Sequence, residues 1–299
     1  KITESMFSME GVTKDSTEYT VTVTVTDNND GTMTVTSSPA KDSFNFTNKY
    51  AAKGDITFSG TKFIDKRDFK EGDTATIKIE AVEPANAPLP TDTEVTVNPT
   101  SGRSKAYSFG AINYTLDDLP DGAGSTAQFK YKITESTFSM DGVTKDSTEY
   151  TVTVTVTDDN SGALTVTSSP AKDSFDFTNK YAATGDITFS GTKFIDKRDF
   201  KAGDTATMKI EAVEPANAPM PADAEVTVNP TSERSIPYTF GVINYTLDDL
   251  PDGAGSTITF KYKITESTFS MDGVTKDSTE YTVTVTVTDD NSGVLTVTS

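Results

Sequence analysis

The chain has 299 residues, a formal net charge of −19, and no Cys, His or Trp. That acidity argues against nucleic acid and anionic membrane surfaces as partners, since both call for basic patches. Without Cys there are no disulfides or thiolate metal ligands, and without His the usual general base and the commonest metal ligand are gone, so the composition points to no metal and no cofactor.

Only 34% of residues are apolar, and Thr and Val are abundant. This is the composition of Thr-rich β-sheet rather than of a helical enzyme. No apolar run approaches the ~20 residues of a membrane span, and no secretory leader core is present.

The chain opens on "KITESMFSMEGVTKDSTEYTVTVTVTDNNDG". A close relative, "YKITESTFSMDGVTKDSTEYTVTVTVTDDNSG", stands at 131–162 and again, unchanged, at 262–293, so the offset is 131 residues. Residues 51–168 and 182–299 differ at 14 of 118 aligned positions. Such self-similarity marks a tandem array. We expect residues 1–50 to be the C-terminal part of a preceding repeat, 51–181 a complete repeat, and 182–299 a following repeat without its last strand. The whole reads as a slice of a longer protein.

Along the complete repeat, short alternating segments succeed one another: "DITFSGTKFI", "ATIKIEAV", "EVTVNP", "AYSFGAINYTL", "AQFKYKITE", "EYTVTVTVT", "ALTVTS" and "SFDFTN". Between them "EGD", "PANAPLP", "LPDGAGS" and "DDNSG" carry the Gly, Pro, Asn and Asp of turns. The spacing predicts an all-β fold of tandem Ig-like β-sandwich domains with a repeat period of 131 residues. In "YTVTVTVT" the valines are expected in the core and the threonines in water. The turns "TDNNDG" (26–31) and "TDDNSG" (157–162) are spaced loosely like a calcium loop. They lack its closing Glu and lie between Thr-Val strands, so a hairpin turn fits better.

Three polar residues stand in apolar register. A period of two carries Ile56, Phe58 and Gly60 on to Lys62, Phe129, Tyr131 and Ile133 on to Glu135, and Phe175 and Phe177 on to Asn179. One reading is strand ends, where alternation breaks and side chains reach water. The other is chemical. Burial drives Lys toward the neutral amine, a nucleophile, and Glu toward the neutral acid. That acid can polarise the Asn carboxamide and shuttle protons while the amine attacks its carbonyl carbon. The product would be a Lys–Asn amide with loss of ammonia, a single self-modification rather than turnover.

"SGTKFID", "YKITE" and "FDFTNKY", in that order within one Ig-like unit, resemble the streptococcal backbone-pilin isopeptide-linkage domain family. The resemblance covers the whole repeat, including "KDSTEYTVTV". It implies Lys62 as amine donor, Asn179 as acceptor and Glu135 as the catalytic residue. Lys193 and Glu266 would fill the same roles in the following repeat, with their Asn beyond residue 299, and Glu4 and Asn48 in the preceding one, with their Lys before residue 1.

The function implied is the structural stalk of a Gram-positive cell-surface adhesin or pilus-like fibre, attached to the cell wall. Its partners would be neighbouring repeats and, through a tip domain elsewhere, host ligands, without nucleic acid or membrane insertion. No pilin-motif lysine or sorting signal is evident, so an array within one chain suits an adhesin stalk better than a pilin subunit. The alternative is a host-ligand or glycan-binding module without the crosslink, with its surface in the 81–106 region.

Overall fold

The computed structural model describes residues 1–299 as strands, turns and loops, with two short 3-10 turns at Leu116–Asp118 and Leu247–Asp249 and no α-helix. In the middle of the chain the strands are β1 (Lys53–Ile56), β2 (Ser59–Asp65), β3 (Thr74–Glu83), β4 (Glu94–Val97), β5 (Ser104–Ser108) and β6 (Ile112–Thr115). After them come β7 (Thr126–Ser139), β8 (Val143–Thr144), β9 (Glu149–Asp158), β10 (Leu164–Ser169) and β11 (Phe177–Tyr181).

One sheet is antiparallel and five-stranded, in the order β4-β3-β7-β9-β10. Facing it is a four-stranded sheet, β5-β2-β11-β8, in which β2 and β11 run parallel. That pairing sets β2, near the start of this strand series, beside β11 at its end. Between the sheets lies a core of 25 buried residues. Along β9 it takes Val152, Val154 and Val156, each fully buried, and leaves the intervening threonines outside as the alternation requires. A second core of 20 residues, from Tyr181 to Leu295, sits between equivalent strands in the remainder of the chain.

Two segments expected as single strands are each broken. "DITFSGTKFI" divides into β1 and β2, and "AYSFGAINYTL" into β5 and β6. The breaks face one another: β1 pairs with β6, β2 pairs with β5, and the Phe109 N–H donates to the Phe58 carbonyl at 2.9 Å between the two ladders. Both phenylalanines are buried at this bend. Their burial offsets the interruption and lets β2 turn into the four-stranded sheet while β1 leaves it.

A further departure from simple alternation lies in β7. Its register against β3 slips between Glu135 and Thr137, leaving Ser136 as a bulged residue. A bulge ends the inward series at its near side and re-aims the side chains beyond it. Glu135 is the last residue of the uninterrupted inward run.

Candidate crosslinking site

Lys62 lies within β2, Glu135 within β7 and Asn179 within β11. None of the three reaches water: their residue exposures are 0%, 3% and 0%. They are inward core positions, not frayed strand ends. The parallel register sets Phe177 opposite Lys62 and Asn179 opposite Ile64, so Lys62 and Asn179 are diagonal neighbours on one face. Glu135 meets them from the opposite sheet.

Its carboxylate touches both partners. Lys62 Nζ stands 3.4 Å from each Glu135 oxygen, and Asn179 Nδ2 donates to Oε1 at 2.9 Å. Lys62 Nζ also donates to the Phe177 carbonyl at 3.4 Å. Burial pushes the Lys62 amine below its ordinary range, and the Glu135 charge beside it only partly offsets that. The amine is thus biased toward its neutral form, and the carboxylate beside it is the same one that holds the amide nitrogen.

The other end of the carboxamide is held by a group with no side-chain signature in the sequence. The backbone N–H of Asp146 donates to Asn179 Oδ1 at 2.7 Å and approaches Glu135 Oε2 at 3.2 Å. Negative charge would develop on Oδ1 if an amine attacked the carbonyl carbon, so this donor stands where a tetrahedral intermediate is stabilised. The Asp146 carboxylate fixes the loop. Oδ2 accepts from the Thr178 N–H at 2.6 Å, and Oδ1 from the Thr148 N–H and hydroxyl at 2.8 and 2.6 Å. Burial alone would raise this acid, but those hydrogen bonds hold it below the usual carboxylate range.

Tyr150 seals the site edge-on against Phe175 and Phe177, with centroids 5.4 and 5.3 Å away. Met140 Sδ stands 4.0 Å from Asn179 Nδ2. Lys145 Nζ donates to the Glu135 carbonyl at 3.0 Å.

The other candidate residues form partial copies. Lys193 Nζ lies 3.1 Å from Glu266, with no asparagine beside them. Glu4 accepts from Asn48 Nδ2 at 3.0 Å, and the Asp15 N–H donates to Asn48 Oδ1 at 2.7 Å, as Asp146 does to Asn179. The turn at 157–162 joins β9 to β10 as a hairpin, and its Asp158 carboxylate is taken up by O–H and N–H donors from Tyr50, Gly124 and Asn160.

Fold and site together define a two-sheet β-sandwich with a dry Lys–Glu–Asn cluster linking its early and last strands. The model of the Spy0128-like isopeptide containing domain matches residues 1–51, 58–182 and 189–299, and the chain belongs to this family. Among solved structures it is similar to the major pilin T-13 of Streptococcus pyogenes at 18% identity, over 83% of this chain and 96% of that one, with a TM-score of 0.32. A second Streptococcus pyogenes major pilin aligns at 16% identity over 81% and 96%, with a TM-score of 0.32. The shaft pilin of Lactobacillus rhamnosus GG aligns at 13% over 82% and 98%, with a TM-score of 0.20. No curated protein matches the chain in sequence.

Proposed function

We propose that this chain is a length of the shaft of a Gram-positive surface fibre, a pilus or adhesin stalk, in which each complete repeat is closed by a self-formed Lys–Asn amide. The observation that carries the reading is the double contact of Glu135 with Lys62 and with Asn179 inside a core closed to solvent. In the folded unit a proton passes from Lys62 Nζ to Glu135. The neutral amine attacks Asn179 Cγ, and the Asp146 N–H stabilises the charge on Oδ1. Glu135 passes that proton to Nδ2 and takes the second from Nζ as the Cγ–Nδ2 bond breaks, and the departing ammonia carries this second proton away as ammonium. One amide is made, one is lost, and the carboxylate ends as it began.

The mechanical effect comes from topology. With β2 and β11 adjacent and tied, tension entering before Lys62 leaves through the bond at Asn179, and the intervening chain carries none. Single-molecule pulling on residues 1–299 tests this. The parent protein is expected to show no release from the middle core, whereas Asn179→Ala should release a segment on the order of 400 Å of extended chain. Equal release from both proteins would reject the shaft reading.

A further inference from the structure

The end of each unit meets the next through a contact made twice in the chain. At the first junction the Tyr50 hydroxyl donates to Asp158 Oδ1 at 2.7 Å and accepts from the Gly162 N–H at 3.2 Å. At the second the Tyr181 hydroxyl donates to Asp289 Oδ1 at 2.6 Å and accepts from the Gly293 N–H at 3.1 Å. Both aspartates are 2% exposed, although each belongs to a hairpin turn rich in polar residues. Each is buried by its bonds to the neighbouring unit's tyrosine and to its own loops, a satisfied arrangement for a carboxylate out of water.

Backbone packs directly on backbone beside each tyrosine. A Cβ on Gly142 would overlap the Cα of Gly293 and lie 2.6 Å from the Tyr181 ring, and a Cβ on Gly11 would meet Gly162 and Tyr50 in the same way. The Arg67 guanidinium lies over the Tyr181 ring at 5.2 Å from its centroid, and Lys70 Nζ donates to the Asn291 carbonyl at 2.9 Å across the junction. Where no neighbouring unit is present the same positions are open. Gly31 and Gly273 have positive φ like their counterparts, yet an added Cβ there would meet nothing.

We infer that this tyrosine-in-socket contact is a keyed joint that fixes the orientation of successive repeats and makes the array a stiff rod rather than beads on a flexible string. The partner the socket fits is another copy of the repeat, joined head to tail. The inference does not depend on the Lys62–Asn179 bond, because none of the joint atoms reacts.

Gly142 and Gly273 supply a matched test. Their φ values are +67° and +69°, so alanine strains the backbone alike at both, but only Gly142 faces a neighbouring unit. The chain has no native Cys, so spin labels can be placed through Glu94→Cys and Glu225→Cys on exposed strand positions of the two units. Distances are then read by double electron–electron resonance. The parent and Gly273→Ala are expected to give one narrow distribution, and Gly142→Ala one several-fold broader. Tyr181→Phe, which keeps the ring and removes the hydroxyl, should broaden it as well and serves where an alanine at 142 lowers the yield of folded protein. A broad distribution already in the parent, or equal widths in all four proteins, overturns the joint. Intact mass, read on the same samples, reports the crosslink separately.

Discussion

The middle of the chain and residues 182–299 share nearly the same sequence but differ in two elements: nothing in the latter occupies the place of β11, and β8, which pairs with β11, has no counterpart strand. The consequences fall on the site. The Lys62 side chain is fully buried, whereas that of Lys193 is 13% exposed. Tyr150 packs on two phenylalanines, whereas Tyr281 is 60% exposed. An open cleft of ≈ 340 Å³ lies beside Lys193, Glu266 and Tyr281. Lys and Glu thus meet without the last strand, and this strand supplies Asn179 and closes the pair off from solvent, which in the proposed reaction are the electrophile and the burial that favours the neutral amine.

The largest way to sharpen the contrast is Asn179→Ala. A bond between Lys62 and Asn179 closes a loop on the order of a hundred residues, so its loss should cost the middle unit about 4–5 kcal/mol. The remainder of the chain should be unchanged, which hydrogen exchange read segment by segment can resolve. Next comes the aromatic lid. Tyr150→Ala should destabilise by about 2–3 kcal/mol, because it strips two ring contacts and the bond to the Asp176 carbonyl at 2.6 Å. Tyr281→Ala should stay within about 0.5 kcal/mol. Equal costs in a denaturant titration would show that β11 does not build the lid.

Asp146→Ala leaves the backbone donor but frees its loop, and is expected to cost about 1.5–3 kcal/mol and to slow bond formation after folding. Asp277→Ala should do less, since its carboxylate bonds to Thr279 alone among the equivalent partners. The smallest effect is with pH. In Asn179→Ala the amine stays free, and its folded-state pKa lies below the unfolded 10.5. Between those two values the unfolded chain binds more protons, so stability rises with pH. The stability gap between Asn179→Ala and Lys62→Met/Asn179→Ala should therefore narrow as pH climbs toward 10.5. A gap that widens would reverse the assignment of burial as the dominant influence on Lys62.

Much of this was legible because the inward alternation survives the break between β1 and β2 and the register shift against β3 at Lys130–Tyr131, so a period of two still points Lys62, Glu135 and Asn179 inward. The features beyond reach are of another kind. Asp146 acts through an N–H that every residue but proline has. β8 is two residues long and takes its place by pairing with β11, a partner far along the chain. Asp158 sits in a turn whose composition signals water, and its burial depends on Tyr50, more than a hundred residues earlier. Local pattern carries the register of a strand, but not the contacts made when distant segments meet.

The most direct measurement is the intact mass of the protein spanning residues 1–299. One Lys–Glu–Asn set is complete, while Glu4–Asn48 lacks its lysine and Lys193–Glu266 lacks its asparagine. The account therefore predicts a deficit of a single ammonia, with full mass restored in Lys62→Ala, Glu135→Ala and Asn179→Ala. Full mass in the parent protein would contradict it, leaving three buried polar residues that hold one another in place without reacting.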